Sequence, residues 1–351
     1  MRKYYGIEFL RFLTSVSILL YHYRHFFGPL NILNLKNYSE IESDLPFYSF
    51  FNFFYTHGFY GVPVFYAISG FVFSYVYLSK KQDTTAKVFF INRFARLYPL
   101  HFATLILVSF LQYISLFNFD LFQLKMINDL YHFILQIFFI SAWGLQDGHS
   151  FNGPIWSVSI EIGIYIIFFL LIKKIKFFKS FFIIAIIVLL TLIDKLKIGS
   201  SGVLFLDCAR LFFSGILVYY LCNNNKINKF ILNLISILLV ILSFVNNFKI
   251  FLFCPALLMF FVTIEPLIKT NTIKSFFKSF GNLTYSLYLI HVPVQITIIL
   301  LFSFFELSVT ILLSKIFFIL YFLITFLIAY CSFKFYEFPL NNLLRKKLIN
   351  K

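Results

Sequence analysis

Residues 1–28, MRKYYGIEFLRFLTSVSILLYHYRHFFG, form an apolar stretch long enough to cross a membrane as a helix, yet it carries Glu8, Arg11 and His22. Ionisable side chains at membrane depth are costly, so each is a candidate functional residue. Arg11 and His22 fall within about 20° of one helical face, about 16 Å apart along the axis. Glu8 and Arg11, three residues apart, are spaced to form an ion pair. A purely structural role for Arg11 and His22 stays open at this point.

The composition excludes a soluble globular protein. Of the 351 residues 60% are hydrophobic, 54 are Phe and only 13% are charged, and apolar runs of membrane-spanning length recur along the chain. The excess of 30 Lys and Arg over 14 Asp and Glu would favour nucleic acid as a partner of a soluble protein. Here most basic residues lie between apolar segments, so we expect membrane lipids and no nucleic acid as partners.

The apolar segments predict an all-α, polytopic integral membrane helical bundle, organised as a single transmembrane domain over residues 1–351 with a basic cytoplasmic tail at 333–351. Residues 28–58 are predicted to form a loop with partial helix. Residues 128–143 are short for a crossing and are predicted as a re-entrant or interfacial helix. If they crossed, the basic cluster at 173–179 would face outward, against the positive-inside rule. The ten predicted crossings lie in residues 1–28, 61–78, the segment that ends near 116, 154–172, 178–194, 203–222, 229–246, 250–268, 282–303 and 309–332.

Two arginines, Arg93 and Arg96, lie one helical turn apart in NRFARLYPL, at the start of the third span. Guanidinium groups bind phosphate in a bidentate manner, so this spacing suits a phosphate or pyrophosphate group at the cytoplasmic boundary. Basic residues are also expected there from topology alone. Both interpretations stay open.

The fourth span begins with WSVSIE, which includes Trp156, Ser157 and Glu161. A carboxylate inside a membrane helix needs a partner or a water-lined cavity, so Glu161 is a candidate for orienting a histidine or binding a sugar hydroxyl. Trp156 suits either a sugar ring or the aromatic belt at the membrane interface. Asp207 and Arg210, three residues apart in a later span, are expected to pair for structural reasons.

Polar residues also enter two further spans. GNLTYSLYLIH, residues 281–291, contains Tyr288 and His291, the latter a second candidate for proton transfer or a structural hydrogen bond. GVPVFYAISGF contains Ser69 beside Gly70, which permits close backbone approach or a broken helix. The sequence holds no pattern typical of soluble hydrolases, P-loop proteins or metal sites, so neither a metal nor a permanently bound cofactor is expected.

Together these motifs resemble the acyltransferase-3 family of membrane enzymes, which O-acylate cell-surface sugars. The resemblance rests on the order of Arg11 and His22, GVPVFYAISGF, the two arginines at 93 and 96, PIWSVSIE, YSLYLIH, and FYEFP around Glu337. It covers essentially the whole chain and matches the form that lacks a fused SGNH-type domain. Many members carry an acidic residue where this chain has Pro63, so no carboxylate role is assigned there.

The resemblance implies that His22 is the catalytic histidine with Arg11 as its partner, and that Arg93 and Arg96 hold acyl-CoA, in particular acetyl-CoA, as a co-substrate. The expected acceptor is a glycan or a lipid-linked sugar, which makes polysaccharide O-acetylation the expected activity. An imidazole with an ordinary pKa of about 6.5 suits either a general base or an acyl carrier. The expected location is the bacterial inner membrane, with both termini in the cytoplasm.

The main alternative is a transporter or flippase for a polar or lipid-linked substrate, since buried Arg, His and Glu also mark transport paths. Transporters built from repeats show corresponding halves with broken helices at matching positions. This sequence shows no such symmetry. A polysaccharide polymerase would be expected to carry larger polar loops outside.

Overall fold

The computed structural model describes residues 4–28, 41–79, 84–124, 127–196, 203–245 and 248–349. Its regular structure in this part of the chain is helical, without strands, which confirms the predicted all-α polytopic class. Residues 29–40 of the predicted first loop lie outside the described residues. The α-helices are α1 (Tyr5–Tyr23), α2 (Tyr48–His57), α3 (Gly61–Phe73), α4 (Ala86–Phe119), α5 (Leu130–Ile137), α6 (Ile155–Lys195), α7 (Val203–Asn223), α8 (Lys229–Val245), α9 (Ile250–Thr263), α10 (Asn271–Phe304), α11 (Lys315–Ser332) and α12 (Phe338–Ile349).

Seven helical stretches of the described residues are long and apolar enough to cross a membrane. Three further features provide helices for the rest of the ten predicted crossings. The first is α1, whose apolar face is interrupted by Glu8 and Arg11, and the second is α8, a shorter apolar helix of 17 residues. The third is α6, in which Lys179 adopts φ 50° and ψ −132° and so joins two helices across a kink. Each predicted crossing thus has a helix, while the crossings themselves stay a prediction.

The segment predicted to be re-entrant or interfacial contains α5, which has only eight residues. At 1.5 Å per residue it is about 12 Å long, well short of the hydrocarbon thickness of a bilayer. Asp129 caps its N-terminus and accepts hydrogen bonds from the backbone N–H and Nδ1 of His132, both at 2.8 Å. These bonds lower the pKa of the Asp129 carboxyl, and the bond from the backbone N–H of His132 has the larger effect.

The contacts divide the chain into two compact units. The first unit comprises Met1–Thr14, Tyr60–Thr85 and Ile160–Asn282. In it α3 packs against α7 at a crossing where glycines face backbone. A Cβ atom on Gly70 would lie 1.8 Å from the Phe212 carbonyl oxygen, and one on Gly215 would lie 1.9 Å from the Ala67 carbonyl oxygen. The close approach expected around Gly70 is therefore confirmed.

The second unit comprises Ser15–Phe59, Ala86–Ser159 and Leu283–Lys351. Its core includes a buried cluster from the C-terminal half of α1, from α10 and from α11. The Tyr23 hydroxyl, fully buried at the end of α1, donates to the Leu312 carbonyl at 2.6 Å. This bond and the cluster fix the end of α1, where His22 lies. The buried members of the cluster are Leu19, Leu283, Leu287 and Ala329.

The segment predicted as a basic tail continues the last helix. A π-helix at Phe333–Glu337 joins α11 to α12, and α12 packs against α4. Residues 350 and 351 lie outside the described part. The extra residue in a π-helical turn shifts the register of the side chains that follow, which is one reason such turns recur at functional sites. Here the π-helix ends at Glu337, whose side chain is 1% exposed.

Candidate active site

Two histidines from distant parts of the sequence meet in the second unit. His22 Nδ1 lies 3.0 Å from His291 Nε2, with the ring planes 18° apart. His291 is fully buried, whereas His22 is partly exposed. The sequence identified both as candidates for proton transfer but did not predict their contact. A buried imidazole hydrogen-bonded to a more accessible one resembles the pairing of an orienting group with a base.

The position of His22 follows from the end of α1. The last carbonyls of a helix have no partner within it, and that of His22 accepts a hydrogen bond of 2.7 Å from Gln295 Nε2. Gln295 is fully buried and lies four residues after His291, on the same face of α10. One helical turn of α10 therefore holds both the ring and the backbone of His22. Gln295 was not among the residues predicted from the sequence, although a polar residue one turn after a candidate histidine was a usable signal.

A proline shapes α10 next to this pair. Pro293 has no N–H, so the carbonyl four residues earlier, that of Leu289, loses its helical partner. Asn152 Nδ2 donates to that carbonyl at 3.1 Å and to Thr104 Oγ1 at 3.0 Å. Asn152, missed at the sequence level, thus ties the loop before α6 to the histidine-bearing helix. A proline inside a predicted span signals that such a donor is needed, but the sequence does not reveal which residue supplies it.

Further titratable and charged groups surround His22. The His25 ring centroid lies 4.7 Å away and that of Tyr21 lies 5.3 Å away. Arg24 donates to the Tyr55 carbonyl at 3.0 Å and stacks over Tyr21 at 5.2 Å. The surroundings of His22 are therefore polar next to the residues that directly follow α1.

A second polar cluster joins one of the two predicted arginines to a buried carboxylate. Arg96 Nη1 donates to Glu337 Oε1 at 2.5 Å, and Ser286 Oγ donates to Glu337 Oε2 at 2.6 Å. Arg96 also lies over the Tyr285 ring, 5.9 Å from its centroid. Because Ser286 precedes His291 by five residues, this cluster lies about 7.5 Å from the histidine pair along α10. Arg96 and Glu337 were predicted from the sequence as candidate site residues, but their pairing was not predicted.

Arg93 lies one turn before Arg96 on α4 and is partly exposed. Near it, Tyr285 OH donates to the Leu97 carbonyl at 2.7 Å, and Tyr336 OH donates to the Pro99 carbonyl at 3.3 Å. These bonds join α4 to α10 and to the π-helix. The start of α4 is therefore a fixed element that carries both arginines.

The residues predicted at the start of α6 have structural partners. Ser157 Oγ and the Tyr288 hydroxyl lie 2.7 Å apart, and Tyr288 also donates to the Pro154 carbonyl at 3.1 Å. Both side chains are buried. Trp156 is partly exposed, with the His149 ring 5.8 Å away. Ser157 and Tyr288 thus bind the start of α6 to α10.

Four predicted site residues, Glu8, Arg11, Ser69 and Glu161, belong to the first unit. Arg11 Nη1 donates to Glu8 Oε2 at 3.0 Å, which confirms the expected ion pair. Glu161 and Ser69 are partly exposed residues of α6 and α3. The predicted catalytic roles of Arg11 and Glu161 stay predictions.

The expected pair of Asp207 and Arg210 is confirmed, and it has a third member. Arg210 donates to Asp207 Oδ1 and, at 3.0 Å, to Asp194 Oδ2, and it lies 3.9 Å from the Phe251 ring centroid. Two carboxylates and an aromatic face therefore compensate the charge of this cation, which indicates a structural role. No cluster of His, Cys, Asp and Glu suited to a metal ion occurs among the residues that the structure describes.

Comparison with known families gives one result that covers nearly the whole chain. The model of a family described as "Acyltransferase domain" matches residues 4–334. Searches of curated proteins and of solved structures gave no significant match. The family match supports an acyltransferase over the transporter that the sequence had left as an alternative.

Proposed function

This chain belongs to the acyltransferase-3 family and is a membrane acyltransferase, and from that premise we propose that it moves an acyl group, acetyl in the simplest case, from acyl-CoA to a glycan hydroxyl. The proposed acceptor is a cell-surface glycan or a lipid-linked sugar. The proposed location is the bacterial inner membrane, with both termini in the cytoplasm. The seven apolar helical stretches support an integral membrane protein.

The observation that carries the proposal is the hydrogen-bonded pair of His22 and His291. Transfer to a hydroxyl requires a base, because a neutral alcohol is a weak nucleophile. An imidazole is the side chain best matched to this task near neutral pH. Of the two rings, His22 is the accessible one and His291 is enclosed, so we assign the base to His22.

The proposed step balances without an oxidant, a reductant or a metal. His22 removes the proton from the acceptor hydroxyl as its oxygen attacks the thioester carbonyl carbon. The carbon–sulfur bond breaks, the electron pair goes to sulfur, and the proton passes from His22 to that sulfur. The products are an O-acyl ester and the free thiol of coenzyme A.

Arg93 and Arg96 are the proposed contacts for the anionic part of the donor. Arg96 uses Nη1 to bind Glu337, yet a guanidinium has five N–H donors, so further donors serve a phosphate. Glu337 fixes the orientation of Arg96 from its buried position. An arginine side chain that is held in this way loses less conformational entropy when it binds a phosphate than an arginine without such a partner.

The proposal is tested by the supply of radiolabelled acetyl-CoA to sealed membrane vesicles that contain the protein. Because acyl-CoA does not cross a bilayer, inverted vesicles are expected to place label on glycan, whereas right-side-out vesicles are not. Vesicles without the protein serve as the control. Correct insertion without transfer to any of several glycans, from several acyl donors, would overturn the proposal and favour a different acceptor class or transport.

A further inference from the structure

A relay of hydrogen bonds runs from the Leu287 carbonyl through His291 to His22. His291 Nδ1 lies 3.2 Å from the Leu287 carbonyl oxygen, and His291 Nε2 lies 3.0 Å from His22 Nδ1. We propose that His291 is a positioning residue that fixes His22 in the tautomer with its proton on Nδ1, so that Nε2 is the nitrogen that accepts the substrate proton. This inference rests on the proposed role of His22 as the base.

The position of each proton in the relay follows from the Leu287 carbonyl oxygen at its end. A carbonyl oxygen only accepts, so Nδ1 of His291 must carry a hydrogen and donate to Leu287. A neutral imidazole has one N–H, which leaves Nε2 of His291 as an acceptor. His22 must then donate from Nδ1. A neutral His22 therefore accepts protons at Nε2, the nitrogen on the opposite side of its ring.

The surroundings of His291 favour its neutral form. Its ring is fully buried within α10, and none of the ion pairs found among the described residues includes it. A buried, unpaired imidazolium would carry a large desolvation cost, especially at membrane depth. Tyr288, with its ring 6.2 Å away, contributes a neutral hydroxyl. The neutral form is the one that the relay requires.

The relay also bears on the step after proton transfer. Once His22 has taken up the substrate proton, its Nδ1–H still points to His291 Nε2, and the bond becomes charge-assisted and stronger. Gln295 holds the His22 backbone through the same change. Other groups near His22 include the rings of Tyr21 and His25, and Arg24 lies over the Tyr21 ring. Among these contacts, the hydrogen bond that His22 Nδ1–H donates to His291 Nε2 is the one that specifies a tautomer of His22.

The first test reads the tautomer without reference to activity. Nitrogen-15 NMR of the full-length protein, labelled at histidine and held in lipid nanodiscs, distinguishes a protonated from an unprotonated ring nitrogen. His22 is assigned by its loss in His22→Ala. The expected spectrum at neutral pH has Nδ1 of His22 protonated and Nε2 unprotonated. The reverse assignment would overturn the inference whatever the enzyme does.

The second test uses paired substitutions at position 291. His291→Leu removes the acceptor and is expected to lower kcat for acetyl transfer about 100-fold or more, within the range for general-base catalysis, with little change in KM. His291→Gln keeps an acceptor oxygen near the position of Nε2 and is expected to restore much of kcat and the Nδ1–H signal of His22. A purely structural role would not produce this difference between leucine and glutamine.

His101→Leu is the matched control. His101 is also fully buried, and its Nε2 bonds to the Gln136 carbonyl at 2.8 Å, so its loss removes one buried histidine without touching the relay. Normal transfer by folded His291→Leu, with His22→Ala inactive, would overturn the inference and leave the proposed function intact. An inactive native protein would instead count against the proposed function, while the NMR result still decides the tautomer.

Discussion

The two imidazoles illustrate how single residues gain a role from their surroundings. His22 and His291 are separated by 269 positions in sequence, and neither spacing nor composition relates them. We propose a different task for each ring, because His291 is enclosed and His22 is accessible. In the same way, the ion pair with Glu337 orients the guanidinium of Arg96, which we propose as a hydrogen-bond donor to the phosphates of acyl-CoA.

At the residue scale we predict that Arg93→Ala raises KM for acetyl-CoA more than KM for the acceptor. Loss of one charged hydrogen bond to phosphate costs about 1.5–3 kcal/mol, which corresponds to about a 10- to 140-fold increase in donor KM. Lys87→Ala removes an exposed cation from the first turn of the same helix and is expected to have little effect. Steady-state kinetics with each substrate varied in turn measure the difference. Equal losses for donor and acceptor would contradict the donor role of Arg93.

At the element scale the crossing of α3 and α7 depends on the absence of side chains. We predict that Gly215→Val destabilises the protein by about 1–3 kcal/mol, because the new side chain meets the Ala67 backbone and forces the helices apart. Gly28→Ala is the control, since the nearest atom to a Cβ there lies at 3.8 Å. Thermal unfolding in detergent measures both. A native midpoint for Gly215→Val would mean that the crossing is looser than described.

The cap of α5 makes a prediction about pH. Hydrogen bonds from His132 lower the pKa of Asp129 in the folded protein, so the cap is complete above the ordinary range of Asp and is lost as pH falls through the lowered value. Protection of the His132 amide from hydrogen exchange should therefore be constant near neutral pH and decline below about pH 4. In Asp129→Ala the His132 amide should be poorly protected from hydrogen exchange at every pH. A decline that begins near neutral pH would point to a different titrating group.

The helices themselves were largely predictable, because runs of apolar residues specify a membrane helix without reference to partners. Pairs within one helical turn, such as Glu8 with Arg11, followed from helix geometry. Contacts between distant segments could not be predicted from the sequence. The partners of His22, Arg96 and Arg210 depend on which helices pack together, and a single sequence does not encode that in any local pattern. Missed residues such as Gln295 and Asn152 satisfy backbone carbonyls, so their importance emerges only with the fold.

At the scale of the whole molecule, the ten-crossing topology predicts which loops face each side. Asp147, in the exposed segment before α6, is expected outside, and Lys226, in the exposed turn between α7 and α8, inside. Single cysteines at these positions, in a background without the four native cysteines, can be probed in intact cells with a membrane-impermeant maleimide. The cysteine at 147 should react, and that at 226 should react only after permeabilisation. The opposite pattern would invalidate the topology.

We propose that this membrane acyltransferase uses His22 as its base. It is tested most directly by transfer of label from acetyl-CoA to glycan by the native protein, His22→Ala and His101→Leu, each reconstituted in lipid and confirmed to be folded. Transfer is expected from the native protein and from His101→Leu, and none above background from His22→Ala. Transfer at the native rate by His22→Ala would contradict it.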